Sequence, residues 1–377
     1  MTEGSSRTAV QHSCDLFCEV IDNFGDAGVA WRLARSLATE RGWRVRLFID
    51  ELETLSRIVP EVDPQARSQS ALGIEILAWE RGEHADPGEF VIEAFGCTLP
   101  PAYVQRMAED GRRRVWVNLE YLSAEDWVLG CHALPSPHPQ LPLTKHFFFP
   151  GFVPGTGGVV IEHGLEARRQ DFRRDPVTRG DWLAGLGATP HAEFSMFVFC
   201  YPSAPLADWA AALAAGAPAQ LLLAPGAASE QLAQAIARLD APQLSLVRLP
   251  YVPQEDFDQL LWAVDTAIVR GEDSFVRAQL GALPFAWHAY PQADAVHMDK
   301  FNAFADVYTQ SMDPAAAAAW RGFSAAWNLG QGVDQAWPAF RGAVPALRRH
   351  AESWRTRLAA LGSLTDALSD FAAEQLK

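Results

Sequence analysis

The stretch Asp22-Asn23-Phe24-Gly25-Asp26-Ala27-Gly28 lies between an apolar run at 16–21 and a helical pattern at 29–38, and it constrains the fold more than any other part of the chain. Apolar run, tight loop and helix together form the opening unit of a parallel sheet covered by helices. A glycine-bearing turn at a helix start exposes backbone N–H groups, which by themselves favour an anion. Two carboxylates four residues apart oppose that, and the dinucleotide fingerprint G-x-G-x-x-G is absent. The loop therefore reads as built for a polar or cationic group. The competing account is structural, with Asp22 capping the helix and Asp26 meeting its dipole.

The same alternation runs through the chain in two series. Strands are expected at 16–21, 45–49, 74–79, 90–95 and 115–119, then at 194–200, 220–224, 244–249, 266–270 and 284–287, with helices between them. The Pro-rich segment after Gly130 and the Gly-rich segment at 151–158 read as loop, and the charged segment 166–181 as the crossover. A length of 377 residues also exceeds what one core usually organises. The expected division is a first Rossmann-like domain at 1–175 and a second at 176–351, with a C-terminal helix at 352–377 packing back on the first. Two doubly wound α/β domains facing across a cleft form the GT-B arrangement, with ligands held at the carboxyl ends of both sheets.

Charge and cysteine usage narrow the function classes. A net charge of −15 argues against a nucleic-acid or anionic-membrane surface. Cys14, Cys18, Cys97, Cys131 and Cys200 are scattered, odd in number and without a C-x-x-C pair, so neither a disulfide framework nor a thiolate zinc site is expected. Residues 1–13 are polar, and alanine-rich 210–228 is interrupted by Gly216, Pro218, Pro225 and Gly226. The expectation is a cytoplasmic protein.

A second chemical cluster, Arg270-Gly271-Glu272-Asp273-Ser274, again follows a strand and opens a helix. Asp273 or Ser274 is expected to cap that helix, and Arg270 to add positive charge for a phosphate or pyrophosphate. Glu272 falls where a sugar hydroxyl would lie. A well-capped helix with a surface ion pair is the competing account.

Five ordered blocks carry a resemblance across nearly the whole chain. They are Ile21-Asp22-Asn23-Phe24-Gly25-Asp26-Ala27-Gly28-Val29, Asn118-Leu119-Glu120-Tyr121-Leu122-Ser123-Ala124-Glu125, Val252-Pro253-Gln254-Glu255-Asp256-Phe257-Asp258-Gln259-Leu260-Leu261, residues 270–279, and Trp287-His288-Ala289-Tyr290-Pro291-Gln292. The chain resembles the bacterial protein-arginine rhamnosyltransferases called EarP. The resemblance implies a GT-B fold and inverting transfer of L-rhamnose from dTDP-β-L-rhamnose to an arginine of translation elongation factor P, activating it for rescue of polyproline-stalled ribosomes. It implies Asp26 as general base, Asp22 in support and Glu272 as the essential glutamate. On the donor side it implies Arg270, Glu272, Asp273 and Ser274, thymine contacts from Gln254 and Phe257, and Phe199 and Tyr201 on the other side of the nucleotide. No cofactor or metal is implied beyond the donor substrate, and the expected partner is the acceptor protein rather than nucleic acid or membrane.

The chemistry is coherent on its own terms. A guanidinium has a pKa above roughly 12, so a carboxylate must take its proton late, as the C–N bond forms. Asp256-Phe257-Asp258 is a D-x-D, but on a helix side chains two apart do not face one another, so helix N-terminal charge is the preferred account. The histidines lack metal-ligand spacing, and only His288, between Trp287 and Tyr290, is a candidate ligand contact. For Phe199 and Phe257, core packing competes with a nucleotide contact. A nucleotide-sugar epimerase of the same fold and a non-catalytic binding protein are the alternative functions.

Overall fold

The computed structural model describes residues 12–190 and 192–377, so the reading of residues 1–11 lies outside the described residues. The first sheet contains β1 (Ser13–Cys18), β2 (Arg44–Ile49), β3 (Ser68–Ala71), β4 (Ile74–Ala78), β5 (Phe90–Ala94), β6 (Val115–Leu119), β7 (Pro135–Pro137) and β8 (Thr144–Phe148). Their spatial order is β3-β4-β2-β1-β5-β6-β8-β7. Central pairs are parallel, and only β3 and β7 run antiparallel to their neighbours β4 and β8. The second sheet contains β9 (Ser195–Val198), β10 (Ala219–Leu223), β11 (Leu244–Arg248), β12 (Thr266–Arg270) and β13 (Phe285–His288). It is wholly parallel in the order β11-β10-β9-β12-β13. Every residue of β5, β6 and β10 is buried, because helices cover both faces and leave no solvated side to alternate toward.

Three strands missed by the sequence reading explain themselves. β3 is short, polar and at the edge, so it carries no apolar signal. The proline-rich segment expected as loop instead folds into β7 and β8, with Pro135 and Pro137 on the edge strand, where a missing N–H is tolerated.

Packing also moves the expected domain boundaries. The Phe152 ring lies 5.9 Å from Phe275, 4.9 Å from Phe304 and 6.1 Å from Trp354, inside the second core. The helix Leu165–Arg174 follows it there through Phe172, 5.9 Å from Trp262. Phe152, Leu165 and Phe172, which precede the boundary expected at 175, thus pack in the second core. At the C-terminus the helix Val333–Ala360 stays on the second core through Trp337, Phe340, Trp354 and Leu358. Gly362, at φ 87°, turns the chain, and Ser363 caps the helix Leu364–Gln375, whose Leu364, Leu368 and Ala372 join the first core. The return to the first domain thus begins at 364, not 352, because the large apolar side chains before Gly362 are already committed. Among the described residues no helix is long and apolar enough to cross a membrane.

Candidate active site

In each sheet the strand order reverses beside one strand pair, β1 with β5 and β9 with β12, and the loops leaving these strands meet across the cleft. After β1 the chain passes Asn23 at φ 48°, ψ −115°, and enters the helix Phe24–Arg41 with no side-chain cap. Asp22 is therefore not the cap that the structural account required. Asp26, 1% exposed, accepts the backbone N–H of Ile21 at 2.8 Å and of Asp22 at 2.7 Å on Oδ2. The Tyr121 hydroxyl reaches the same oxygen at 3.5 Å. Asp22 receives the Tyr201 hydroxyl, 2.8 Å from Oδ1 and 2.7 Å from Oδ2. Burial above all pushes both carboxyls up to about 6; Tyr201 and Arg270 oppose the rise at Asp22, while Glu272 reinforces it at both.

Gly271 makes this meeting of domains sterically feasible. It sits at φ 59°, and a Cβ there would come within 2.3 Å of Asp22 Oδ2. Gly28 plays a similar part from the other side, its Cβ position being 3.1 Å from Asp273 Oδ2.

Across the cleft, the Arg270 guanidinium lies 4.4 Å from the Phe199 ring centre and 4.6 Å from that of Tyr201. Glu272 accepts the Leu122 N–H at 3.0 Å on one oxygen and Lys300 Nζ at 2.9 Å on the other. The helix Asp273–Leu280 has no side-chain cap, which corrects the expectation for Asp273 and Ser274. Asp273 turns instead to Arg32 Nε at 2.7 Å, and the Ser274 hydroxyl donates to the Arg270 carbonyl at 2.6 Å. Gln254 donates through Nε2 to the Gly28 carbonyl at 2.9 Å, while its buried Oε1 has no protein partner. An apolar cavity open to the cleft is lined by Asp22, Phe199, Gln254, Phe257, Arg270, Asp273 and Ser274, among others. The structure thus gathers the sequence-selected residues around one cleft, with Tyr201, Asp26 and Glu272 beside it.

The remaining candidates resolve by their partners. Asp258 is bound by Arg277, 2.7 Å from Nε, within a buried network that also holds Glu162 and Arg32. It is committed to an ion pair, and no group of three or more metal-ligating side chains is found among the described residues. His288 is buried behind Tyr201, accepting its N–H at 3.3 Å through Nδ1, and burial holds its pKa down at about 3. It supports Tyr201 as a neutral acceptor rather than lining the cavity. Sequence reasoning missed Lys300 and Arg32. Neither lies in a loop with a local motif; their partners come from distant segments.

Comparisons with known proteins follow this geometry. A family profile described as elongation-factor P (EF-P) rhamnosyltransferase EarP matches residues 14–373. The protein-arginine rhamnosyltransferase of Pseudomonas putida is 42% identical over 371 residues, spanning 95% of this chain and 97% of the relative. That of Pseudomonas aeruginosa is 40% identical over 377 residues, spanning 97% and 100%. A solved structure described as the structural basis for EarP-mediated arginine glycosylation of translation elongation factor EF-P is similar at a TM-score of 0.68 and 32% identity, covering 97% of this chain and 99% of that one. A glycosyltransferase from Rickettsia africae, at 10% identity and a TM-score of 0.50, shares the fold alone. The two facing sheets are a GT-B fold.

Proposed function

The chain belongs to the EarP family of elongation-factor P rhamnosyltransferases, and on that premise we propose that its cleft transfers L-rhamnose from dTDP-β-L-rhamnose to an arginine side chain of elongation factor P in the cytoplasm. The observation that carries this reading is the pairing of two under-compensated carboxylates, Asp22 and Asp26, with a cation and an uncapped helix start at Arg270 to Ser274. A carboxylate held in its charged form against burial is stabilised by an arriving guanidinium. A diphosphate is stabilised by Arg270 and free first-turn N–H groups.

The donor nucleotide enters the apolar cavity. Its thymine ring stacks on Phe257, and the unpartnered Gln254 Oε1 accepts the imide N–H. The acceptor arginine is held at Asp22 and Asp26. The hydrogen bonds to Asp26 fall on Oδ2, leaving Oδ1 to face the guanidinium. As the bond to dTDP breaks, the anomeric carbon gains oxocarbenium character and the leaving diphosphate is stabilised by Arg270 and the helix start. One guanidinium nitrogen attacks from the opposite face, its proton passes to Asp26 as the C–N bond forms, and the β donor yields an α product. Glu272 orients the donor sugar.

No step calls for a metal: Asp258 is already neutralised by Arg277, and Arg270 supplies the positive charge. The test is the mass of purified elongation factor P after incubation with enzyme and dTDP-β-L-rhamnose. One rhamnosyl increment on one arginine is expected. Unmodified acceptor with an altered free sugar nucleotide would mean epimerase chemistry, and no change in either would mean a binding role.

A further inference from the structure

The helix His297–Thr309 belongs to neither of the two loop-and-helix units, yet it sends Lys300 into the cleft. Lys300 Nζ lies 2.9 Å from Glu272 Oε1 and 5.4 Å from the centre of the Tyr121 ring. Tyr121 is stacked on Phe95 at 4.8 Å, and its hydroxyl is the group that reaches Asp26. Lys300 therefore stands between the glutamate of the second domain and the aromatic wall of the base in the first.

Building on the proposed transfer, we propose that Lys300 is a positioning residue of the reaction, fixing the carboxylate of Glu272 toward the donor sugar. Both Glu272 oxygens are engaged, one by the Leu122 N–H from the first domain and one by Lys300 from the second, so the carboxylate plane has one orientation. Remove the ammonium and one oxygen is left without its partner beside Asp22 and Asp26, whose charges already oppose that of Glu272. The side chains are 29% and 12% exposed, so this pair is shielded far more than a surface bridge.

Residue choice supports the assignment. The chain has three lysines, at 145, 300 and 377, among 31 Lys and Arg residues, and Lys145 with Glu93 and Lys300 with Glu272 each join one carboxylate while lying over an aromatic ring. An ammonium on a flexible stem meets a single carboxylate oxygen and a ring face together.

The experiment begins with wild-type transfer to elongation factor P, read by mass; failure there would overturn the rhamnosyltransferase reading itself, independently of any variant. Lys300→Met, Lys300→Gln, Lys300→Arg, Glu272→Gln and the Lys300→Met/Glu272→Gln double variant are then compared. Single-turnover rate at saturating acceptor, dTDP affinity by calorimetry and Tm are measured. Loss of the ammonium in Met or Gln is expected to slow single turnover by about 10-fold or more, with dTDP affinity within about two-fold and Tm little changed. Lys300→Arg should recover most of the rate, and the double variant should be no slower than Glu272→Gln. Wild-type rate in the folded Met and Gln variants would overturn the proposal. So would losses that multiply in the double variant, or a loss that Arg does not relieve.

Discussion

The loop after β1 and the loop after β12 share a backbone plan, strand, glycine turn and uncapped helix, but their charges are handled in opposite ways. In the second loop each acid has a cationic partner: Glu272 has Lys300 and Asp273 has Arg32. In the first, Asp22 receives only a phenol hydroxyl directly and Asp26 only backbone N–H groups and a distant phenol. Burial accordingly pushes both carboxyls up to about 6, where a bound cation stabilises them most. The contrast teaches that one backbone device serves either sign of ligand, and the partners of its side chains choose which. The compensated side keeps Arg270 and its helix start free for an anion, while the uncompensated side waits for the acceptor's guanidinium.

Asp26→Asn tests the contrast hardest. It keeps the acceptor oxygen for Ile21 and Asp22 while removing the buried charge, so turnover should fall at least about 10²-fold. Affinity for dTDP should hold, and Tm should not drop, because the charge removed is one that burial opposes. A near wild-type single-turnover rate would make the first loop structural and leave Asp22 as the next candidate base.

On the donor side, Phe257→Ala should weaken dTDP binding by roughly 1–3 kcal/mol if the ring stacks on the base. The ring lines the cavity and meets Phe197 edge-on at 5.7 Å. Unchanged affinity in the folded variant would assign Phe257 to packing with Phe197 alone.

The pH profile separates the loops next. Asp26 acts as a base only when ionised, so single-turnover rate should climb with pH through about 6 and level off above it. Stability should respond in the opposite sense. A carboxyl whose folded pKa is raised from 3.8 to about 6 binds more protons folded than unfolded between those values, so the folded protein gains stability as pH falls through about 6. The gain in Tm from Asp26→Asn should therefore shrink as pH is lowered from neutrality. A Tm difference that is constant with pH would show that burial does not perturb Asp26.

The smallest expected effect is that of chelation: exhaustive EDTA treatment should leave turnover unchanged. Asp258→Asn should instead lower Tm, since it breaks a buried ion pair worth about 3 kcal/mol or more when one partner is removed. Activity lost to EDTA and restored by Mg²⁺ or Mn²⁺ would reopen Asp256 and Asp258 as ligands.

Much of this was legible in one dimension. The alternating apolar runs located ten of the strands, because fully buried parallel strands read as continuous apolar segments. The strands they missed are short edge or proline-flanked segments such as β3 and β7, whose pairing depends on neighbours rather than on composition. The loops at Asp22 and Arg270 were recognisable because strand, glycine turn and helix start are local patterns. The capping expected of Asp273 and Ser274 failed, since Arg32 outcompetes the backbone for Asp273 and Ser274 bonds back to the Arg270 carbonyl. The packing of Phe152 in the second core, ahead of the boundary expected at 175, was not legible because its ring partners lie some 120 residues or more further along the chain.

By itself, then, the sequence determined the fold class, the two strand–loop–helix units and the identities of the reactive side chains, all of which follow from short-range periodicity and residue chemistry. Tertiary structure alone decided which charges are compensated. Tyr201 meets Asp22 across 179 residues, Leu122 meets Glu272 across 150, and Arg32 meets Asp273 across 241. Such partners are chosen by how two separate cores dock, and that docking leaves Asp22 and Asp26 buried without a direct ion pair among the described residues.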